Sequence, residues 1–311
     1  MRKGDRSINL LKNIRGSTSL VFICSAFIII LLSAILTDIG YMAFERYKMD
    51  RSLDNIAKKG AKALLISKNE CVKVIQEDVA KRIKNITKLD INVSENNREM
   101  SINLEREIDY IFLKYIGFSD KKIDSRVVAK ISNVVSYKGI RPFALPKKEL
   151  IYGKEYWLFL DKESQYERDD ILEIMPVDIG KGNFETGILF GFNKTVHTGD
   201  NLTVFTQIDF SNASKNIEEL IKKCKRIPKC TYDNYDADCS RIIILPVVDK
   251  IEDSAEKSMK VLGFTSFFIE DTELENEDVL KIKGKFIKYT VKSNTSDGVS
   301  DFGLLGVKLM H

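Results

Sequence analysis

Five cysteines carry the most reactive side chains in this chain of 311 residues. Cys224, Cys230 and Cys239 lie within one short stretch, whereas Cys24 and Cys71 stand apart. Cysteines this close in sequence can pair, and a disulfide persists in an oxidising compartment. The spacing predicts a disulfide between Cys230 and Cys239. Two alternatives stay open, namely Cys224 as the partner and three free thiols.

Acidic side chains form a second candidate site between two of these cysteines. Asp233, Asp236 and Asp238 place three carboxylates within six residues, and Ca²⁺ prefers oxygen ligands. The stretch lacks the glycine and the terminal glutamate of an EF-hand loop, so a solvated acidic loop is favoured. The two histidines, His197 and His311, are too few for a histidine metal centre or a Ser–His–Asp relay. These residues predict no enzyme, no metal, no cofactor and no small-molecule substrate.

A long apolar segment determines how the rest of the chain is placed. Residues 17–37 contain no charged side chain, and about 20 residues of helix span the hydrocarbon core of a bilayer. A signal peptide has a shorter apolar region and ends in small residues, whereas this one ends in Ile35-Leu36-Thr37-Asp38. We therefore predict a transmembrane helix at 17–37, with Cys24 inside it.

The charges beside this segment predict its orientation. Residues 1–16 carry five basic side chains and one acidic side chain, and basic flanks stay in the cytoplasm. We therefore predict a cytoplasmic segment at 1–16 and a cell-membrane protein whose chain lies outside after Asp38. The flank also supplies the whole formal net charge of +4. The outer part is electrically balanced and gives no reason to bind nucleic acid.

Helical periodicity continues beyond the predicted span. Apolar residues recur at spacings of three and four up to Leu65, and again over 68–86 and 104–116, which predicts one helix at 17–65 and two more after it. We assign 38–130 as a helical extracytoplasmic stalk. Ala57, Gly60 and Ala61 form a stripe of small residues on the first helix, which permits close approach either by this chain or by a partner helix.

The second half of the chain has strand periodicity. Candidate strands lie at 202–208, 241–248, 260–270, 280–292 and 301–309, with a short helix at 215–225. The alternation slips by one residue at Phe286-Ile287, which predicts a β-bulge. Lysines on one face indicate an antiparallel sheet with one side in water. The fold class is α+β, with a β-rich extracytoplasmic domain at 131–311.

Several short blocks, in order, resemble a known family. Arg15-Gly16-Ser17 before the apolar span and Asp38-x-Gly40 after it are similar to the N-terminal region of TadE/TadG-like pilus-assembly proteins. Further blocks match the extracytoplasmic part of the Gram-positive versions, among them Gly139-Ile140-Arg141-Pro142-Phe143, Cys239-Ser240-Arg241 and Asp301-Phe302-Gly303. The resemblance implies a single-pass component of a Tad-type (Flp) pilus or secretion apparatus that acts through protein–protein contacts with other components.

Two features of that family are altered in this chain. Prepilin-like members are cut after a glycine that is followed five residues later by glutamate, and the matching residues here are Gly16, Ser17 and Val21. Because valine stands in the place of the glutamate, we expect an uncut anchor.

Some members carry a von Willebrand A domain with an Asp-x-Ser-x-Ser metal motif. The segment Asp209-Phe210-Ser211 begins such a motif, but Ala213 replaces its second serine.

Two functions follow from these observations. The leading one is a structural or assembly role, with association through the helix at 38–65 and its stripe of Ala57, Gly60 and Ala61. The alternative is a metal-dependent, von Willebrand A-like adhesive module centred on Asp209. We favour the first, because a helix start capped by Ser214 explains the Asp209 segment without a metal.

Overall fold

The computed structural model describes residues 14–161, 169–180, 183–249, 258–275 and 278–311, with side chains from residue 18 onward. The predicted cytoplasmic segment 1–16 therefore lies almost wholly outside the described residues. The helices are α1 (Ile14–Leu64), α2 (Lys68–Arg82), α3 (Phe184–Phe190) and α4 (Phe210–Lys222), with a 3₁₀ turn at Leu113–Ile116. The strands in chain order are β1 (Ile86–Val93), β2 (Glu99–Ile108), β3 (Lys121–Val134), β4 (Ser136–Lys138), β5 (Phe143–Pro146), β6 (Glu155–Asp161), β7 (Ile171–Glu173), β8 (Met175–Asp178), β9 (Thr195–His197), β10 (Asn201–Val204), β11 (Ile242–Val248), β12 (Ser258–Glu275), β13 (Val279–Ile287), β14 (Tyr289–Val291), β15 (Thr295–Ser296) and β16 (Leu304–Met310).

α1 is one helix of 51 residues that passes through two environments. Most of its apolar side chains are exposed up to Leu36, as at Phe22 and Ile30. From Met49 onward its apolar side chains are mostly buried, as at Leu53, whereas Phe44 just before is still exposed. Among the described residues, α1 is the helix that is long and apolar enough to cross a membrane. The continuous helix predicted at 17–65 is confirmed, because no proline interrupts the segment and the apolar stripe continues.

The second half of α1 and all of α2 cover one face of the first sheet. The strand order of this sheet is β1-β2-β3-β16-β14, with β15 paired to β3. Leu53 and Ile56 of α1 and Ile75 of α2 share a buried core with Met100 and other side chains of the sheet. We call these helices and strands the first unit.

The helix predicted at 104–116 is wrong, and the stalk at 38–130 is not all helical. β1, β2 and most of β3 lie in this region and pair antiparallel. Leu104 and Ile108 are four residues apart, a spacing that fits a helix and also one face of a strand. The buried side chains of Met100, Ile102 and Leu104 follow the strand period. The predicted boundary at residue 130 also falls inside β3.

The second sheet forms most of a second unit. Its order is β10-β8-β5-β11-β12-β13-β6-β7, and β10 pairs in addition with β12, so that five strands close into a ring. α3 and α4 pack on the outside, where Phe184 and Ile217 share a core with Phe267 and Phe286. The strands predicted at 202–208, 241–248, 260–270 and 301–309 are confirmed in type as β10, β11, β12 and β16.

The bulge predicted at Phe286-Ile287 is wrong, because the chain changes sheets at this point. β13 pairs with β12 in the second sheet, whereas β14 runs parallel to β16 in the first sheet. Phe286 faces the core of the second sheet, whereas Ile287 and Tyr289 face the small core around the three clustered cysteines, which produces the observed slip in alternation. The parallel pairs β5–β11, β6–β7 and β14–β16 also make the β-rich part mixed and not purely antiparallel.

Candidate functional site at the end of the apolar helix segment

Asp38 lies where α1 passes from exposed to buried surroundings. Its side chain is fully buried, and its oxygens accept three successive backbone N–H groups, those of Ile111, Phe112 and Leu113, the shortest at 2.7 Å. Burial alone raises the pKa of Asp38, but these N–H groups outweigh it and hold the pKa below its usual value. The carboxylate thus ties the loop between β2 and β3 to the end of the apolar segment.

Further contacts fix how α1 lies on the first sheet. Glu45 accepts a hydrogen bond from Lys48 at 2.9 Å and pairs with Arg106 of β2, and Ser125 of β3 donates to Asp50. Burial raises the pKa of Glu45, but Lys48 and Arg106 together hold it below the usual range. α1 and β3 therefore run away from the loop side by side, for about 40 Å along the helix.

Five exposed apolar side chains form a surface on the same loop, which we call the apolar loop patch. Its members are Ile111, Phe112, Tyr115, Ile116 and Phe118. Tyr115 is 80% exposed, and the Nζ atom of Lys114 lies 5.2 Å from the centre of its ring. Exposed apolar residues in contiguous groups mark contact surfaces. Aromatic rings beside lysines are typical of the boundary between lipid and water.

The stripe of Ala57, Gly60 and Ala61 is buried inside the first unit, so the predicted partner-helix contact is wrong. Ala57 and Ala61 are fully buried. A Cβ atom placed on Gly60 would lie 2.8 Å from Ile75 of α2 and 2.9 Å from Met100 of β2. The stripe permits close approach, as predicted, but this chain itself occupies the space.

The three clustered cysteines converge at the end of α4. Their sulfur atoms all lie within 4.8 Å of one another, and all five cysteines are free thiols in the structure. The predicted pairing of Cys230 with Cys239 stays a prediction, since Cys224 approaches Cys239 as well, with 3.8 Å between the sulfurs. Cys71 lies elsewhere, buried against Met100.

The Asp209 segment starts a helix, but five residues earlier than predicted. Asp209 is the N-cap of α4, and its two oxygens accept hydrogen bonds from the backbone and side chain of Asn212 at 2.9 and 2.7 Å. Ser214 is a buried residue within α4 and not its cap. The amphipathic pattern of α4 begins at Phe210, so the helix starts there and Asp209 occupies the N-cap position. The prediction placed the start of this pattern too late.

The acidic loop and the histidines contact ordinary surface partners. Asp233 accepts a hydrogen bond from Thr231 at 2.7 Å, and Asp236 lies 3.6 Å from Arg226. His197 faces Asp200 on the surface. Among the described residues, the three clustered cysteines have ligand atoms close enough together to bind one metal ion, whereas these carboxylates do not.

The sequence reasoning missed Asp38 and the apolar loop patch. Asp38 marked the end of the apolar segment and part of a family block, although a carboxylate directly after such a segment was also a signal for a specific contact. The patch was assigned to a helical face. Gly16 and Ser17, the processing position of the family, lie within the first turn of α1, and the expectation of an uncut anchor stays a prediction.

No family model matches the sequence, and the searches of curated proteins and of solved structures find no match.

Proposed function

We propose that α1 anchors the protein in the cell membrane, with residues 1–16 in the cytoplasm and both units outside. The basic side chains before the span support this orientation. The exposed apolar side chains up to Leu36 are suited to lipid. Ser25, Ser33 and Thr37 donate to carbonyls one turn earlier at 2.7–2.8 Å, so these hydroxyls have acceptors in a medium without water.

The apolar loop patch lies at the boundary between lipid and water on the outer side of the cell membrane. Asp38 directly follows the uncharged segment, and its carboxylate holds the loop, so Tyr115 and Phe118 are kept at the level of the lipid headgroups. Lys114, which lies over the ring of Tyr115, and Lys121 are exposed in this part of the chain and suit anionic headgroups. The first unit then has two attachments to the membrane, the helix and the loop, which restrict its rotation about α1.

Bromine quenching of a single tryptophan tests this contact. In a Trp157→Phe background, which removes the one native tryptophan, Tyr115→Trp is expected to lose most of its fluorescence in bilayers with brominated acyl chains. Phe190→Trp is the matched control, because Phe190 is an exposed aromatic residue of the second unit. Equal quenching in the two variants, or no quenching in the Tyr115→Trp variant, would contradict the proposed contact between the loop and the membrane.

The same architecture supports a structural or assembly role in a Tad-type pilus or secretion apparatus, through protein–protein contacts. The observation that carries this role is the unbroken passage of α1 from the apolar segment into the core of the first unit. β3 runs beside α1, and the second unit follows the far end of β3, about 40 Å from the loop. A rigid support of this kind holds a module at a set height above a membrane. The resemblance of the sequence blocks to TadE/TadG-like proteins is the reason for proposing this apparatus.

Deletion and complementation in the source cell test this role. Deletion is expected to remove surface pili counted by electron microscopy, and the full chain is expected to restore them. A version in which an unrelated span replaces 17–37 should also restore them, whereas a secreted version without a span should not. Unchanged pilus number after deletion would contradict the proposal.

A further inference from the structure

The sulfur atoms of Cys224, Cys230 and Cys239 are arranged like the corners of a coordination site. A tetrahedral Zn²⁺ ion with Zn–S bonds of about 2.3 Å separates its sulfur ligands by about 3.8 Å. The Cys224 and Cys239 sulfurs are 3.8 Å apart, and the third lies within 4.8 Å of both. A disulfide requires two sulfurs about 2 Å apart and would leave one thiol over. The observed spacing therefore fits three thiols that share one ion, and it is too long for a bridge that has already formed.

The surroundings of the three sulfurs hold them in place, and backbone N–H groups point at two of them. Each cysteine is at most 9% exposed, in a small core with Phe268 and Ile287. Cys224 accepts backbone N–H groups from Cys230 and from Arg226, and Cys239 accepts that of Arg241. Two of these donors lie two residues after the sulfur they contact, in turns that direct N–H dipoles at the ligand atoms. Such hydrogen bonds orient metal ligands and stabilise their negative charge.

A cationic side chain also accompanies the cluster. The Arg241 guanidinium donates to the carbonyl of Cys230 at 2.9 Å and lies over the Phe268 ring, 4.6 Å from its centre. Three thiolates and one Zn²⁺ leave one net negative charge, which this guanidinium offsets. The loop from 223 to 241 is thus shaped around the sulfurs by groups that suit an anionic cluster.

We propose that Cys224, Cys230 and Cys239 bind one Zn²⁺ ion. Thiolate ligands select soft or borderline metals, and the fourth position is taken by water. As each S–Zn bond forms, the cysteine releases its thiol proton to solvent, so affinity falls as pH is lowered. The site replaces the expectation from sequence of no metal, and it is independent of the membrane and pilus proposals.

Metal titration of the full chain in detergent tests the site. The chain is purified with reductant, transferred to anaerobic buffer and titrated with Zn²⁺ against a chromophoric chelator. One Zn²⁺ per chain is expected, and Co²⁺ in its place should give the sulfur-to-metal charge-transfer absorption of a tetrahedral thiolate site. The Co²⁺ spectrum needs no variant and so does not depend on the folding of a mutant.

Two serine variants and one control locate the ligands. Cys224→Ser and Cys239→Ser are each expected to lower Zn²⁺ affinity by about 100-fold or more. Cys24→Ser, which removes an exposed thiol from the apolar half of α1, should bind like wild type. No stoichiometric Zn²⁺, or equal binding by all three variants, would overturn the proposal. A disulfide among the three cysteines in unreduced protein from membranes, seen by peptide mapping, would also overturn it.

Discussion

Gly60→Leu is expected to destabilise the first unit by about 1–3 kcal/mol. A Cβ atom alone would come within 2.8 Å of Ile75 and 2.9 Å of Met100, and leucine adds three further carbon atoms in the same space. The gain in helix propensity on replacing glycine is only about 1 kcal/mol. The steric cost therefore outweighs it, and thermal unfolding of the full chain in detergent should show a lowered midpoint.

Gly40→Leu is the matched control for this change. It makes the same substitution in the same helix, but no atom lies within 4 Å of a Cβ placed on Gly40. Its midpoint should equal or exceed that of the wild type. If the Gly60→Leu and Gly40→Leu variants have the same unfolding midpoint, then α1 does not pack on Ile75 and Met100 as described. If pilus components no longer co-purify with the Gly60→Leu variant, the cause is its damaged fold and not the loss of a direct partner contact at Gly60.

Asp38→Ala is expected to release the loop between β2 and β3. Three backbone N–H groups lose their acceptor, and hydrogen exchange at residues 111–113 should accelerate by about tenfold or more, the change that one lost charge-assisted hydrogen bond would cause. Asp38→Asn keeps the size but replaces one acceptor oxygen by a donor, so it should give an intermediate acceleration.

The pH dependence of the loop gives a second measure of the Asp38 contact. The pKa of Asp38 is lower in the folded chain than its usual value. Its stabilisation is therefore present above the pKa of the unfolded chain and is lost as pH falls through the lowered folded pKa. Protection of 111–113 should decline in acid in the wild type, and Asp38→Asn should lack this decline.

Asp109→Asn is the control within the same loop. Its carboxylate raises the pKa of Asp120 by repulsion, so removing it relieves a like-charge contact. Protection at residues 111–113 should stay at the wild-type level or rise. If Asp109→Asn accelerates exchange as much as Asp38→Ala does, the loop responds to any loss of charge and the specific Asp38 contact is refuted.

Sequence periodicity predicted those elements for which only one period fits. The uncharged residues 17–37 are helical and the apolar run at 241–248 is strand β11, as predicted. At Leu104 and Ile108 the spacing fits both periods, and the strand forms because β1 and β3 supply its hydrogen-bonding partners.

The geometry of the candidate sites depends, even more than the secondary structure does, on contacts between residues far apart in the sequence. The sequence showed that Ala57, Gly60 and Ala61 permit close approach, but the approaching surface comes from α2 and β2. It grouped three cysteines, but the convergence of their sulfur atoms depends on how the loop folds. Asp38 binds N–H groups more than 70 positions further along the chain, and such a contact leaves no local pattern.

The way the chain returns to its first sheet has a consequence for folding during export. The first unit is discontinuous, because the chain leaves it after β3 and comes back at β14, and Leu305 of β16 pairs with Asn133 of β3. In the proposed orientation α1 to β3 emerge first, yet one edge of β3 stays unpaired until the whole second unit has emerged. An unpaired edge is a template for wrong pairing. The sheet nearest the membrane is therefore the first to be exported and the last to be closed.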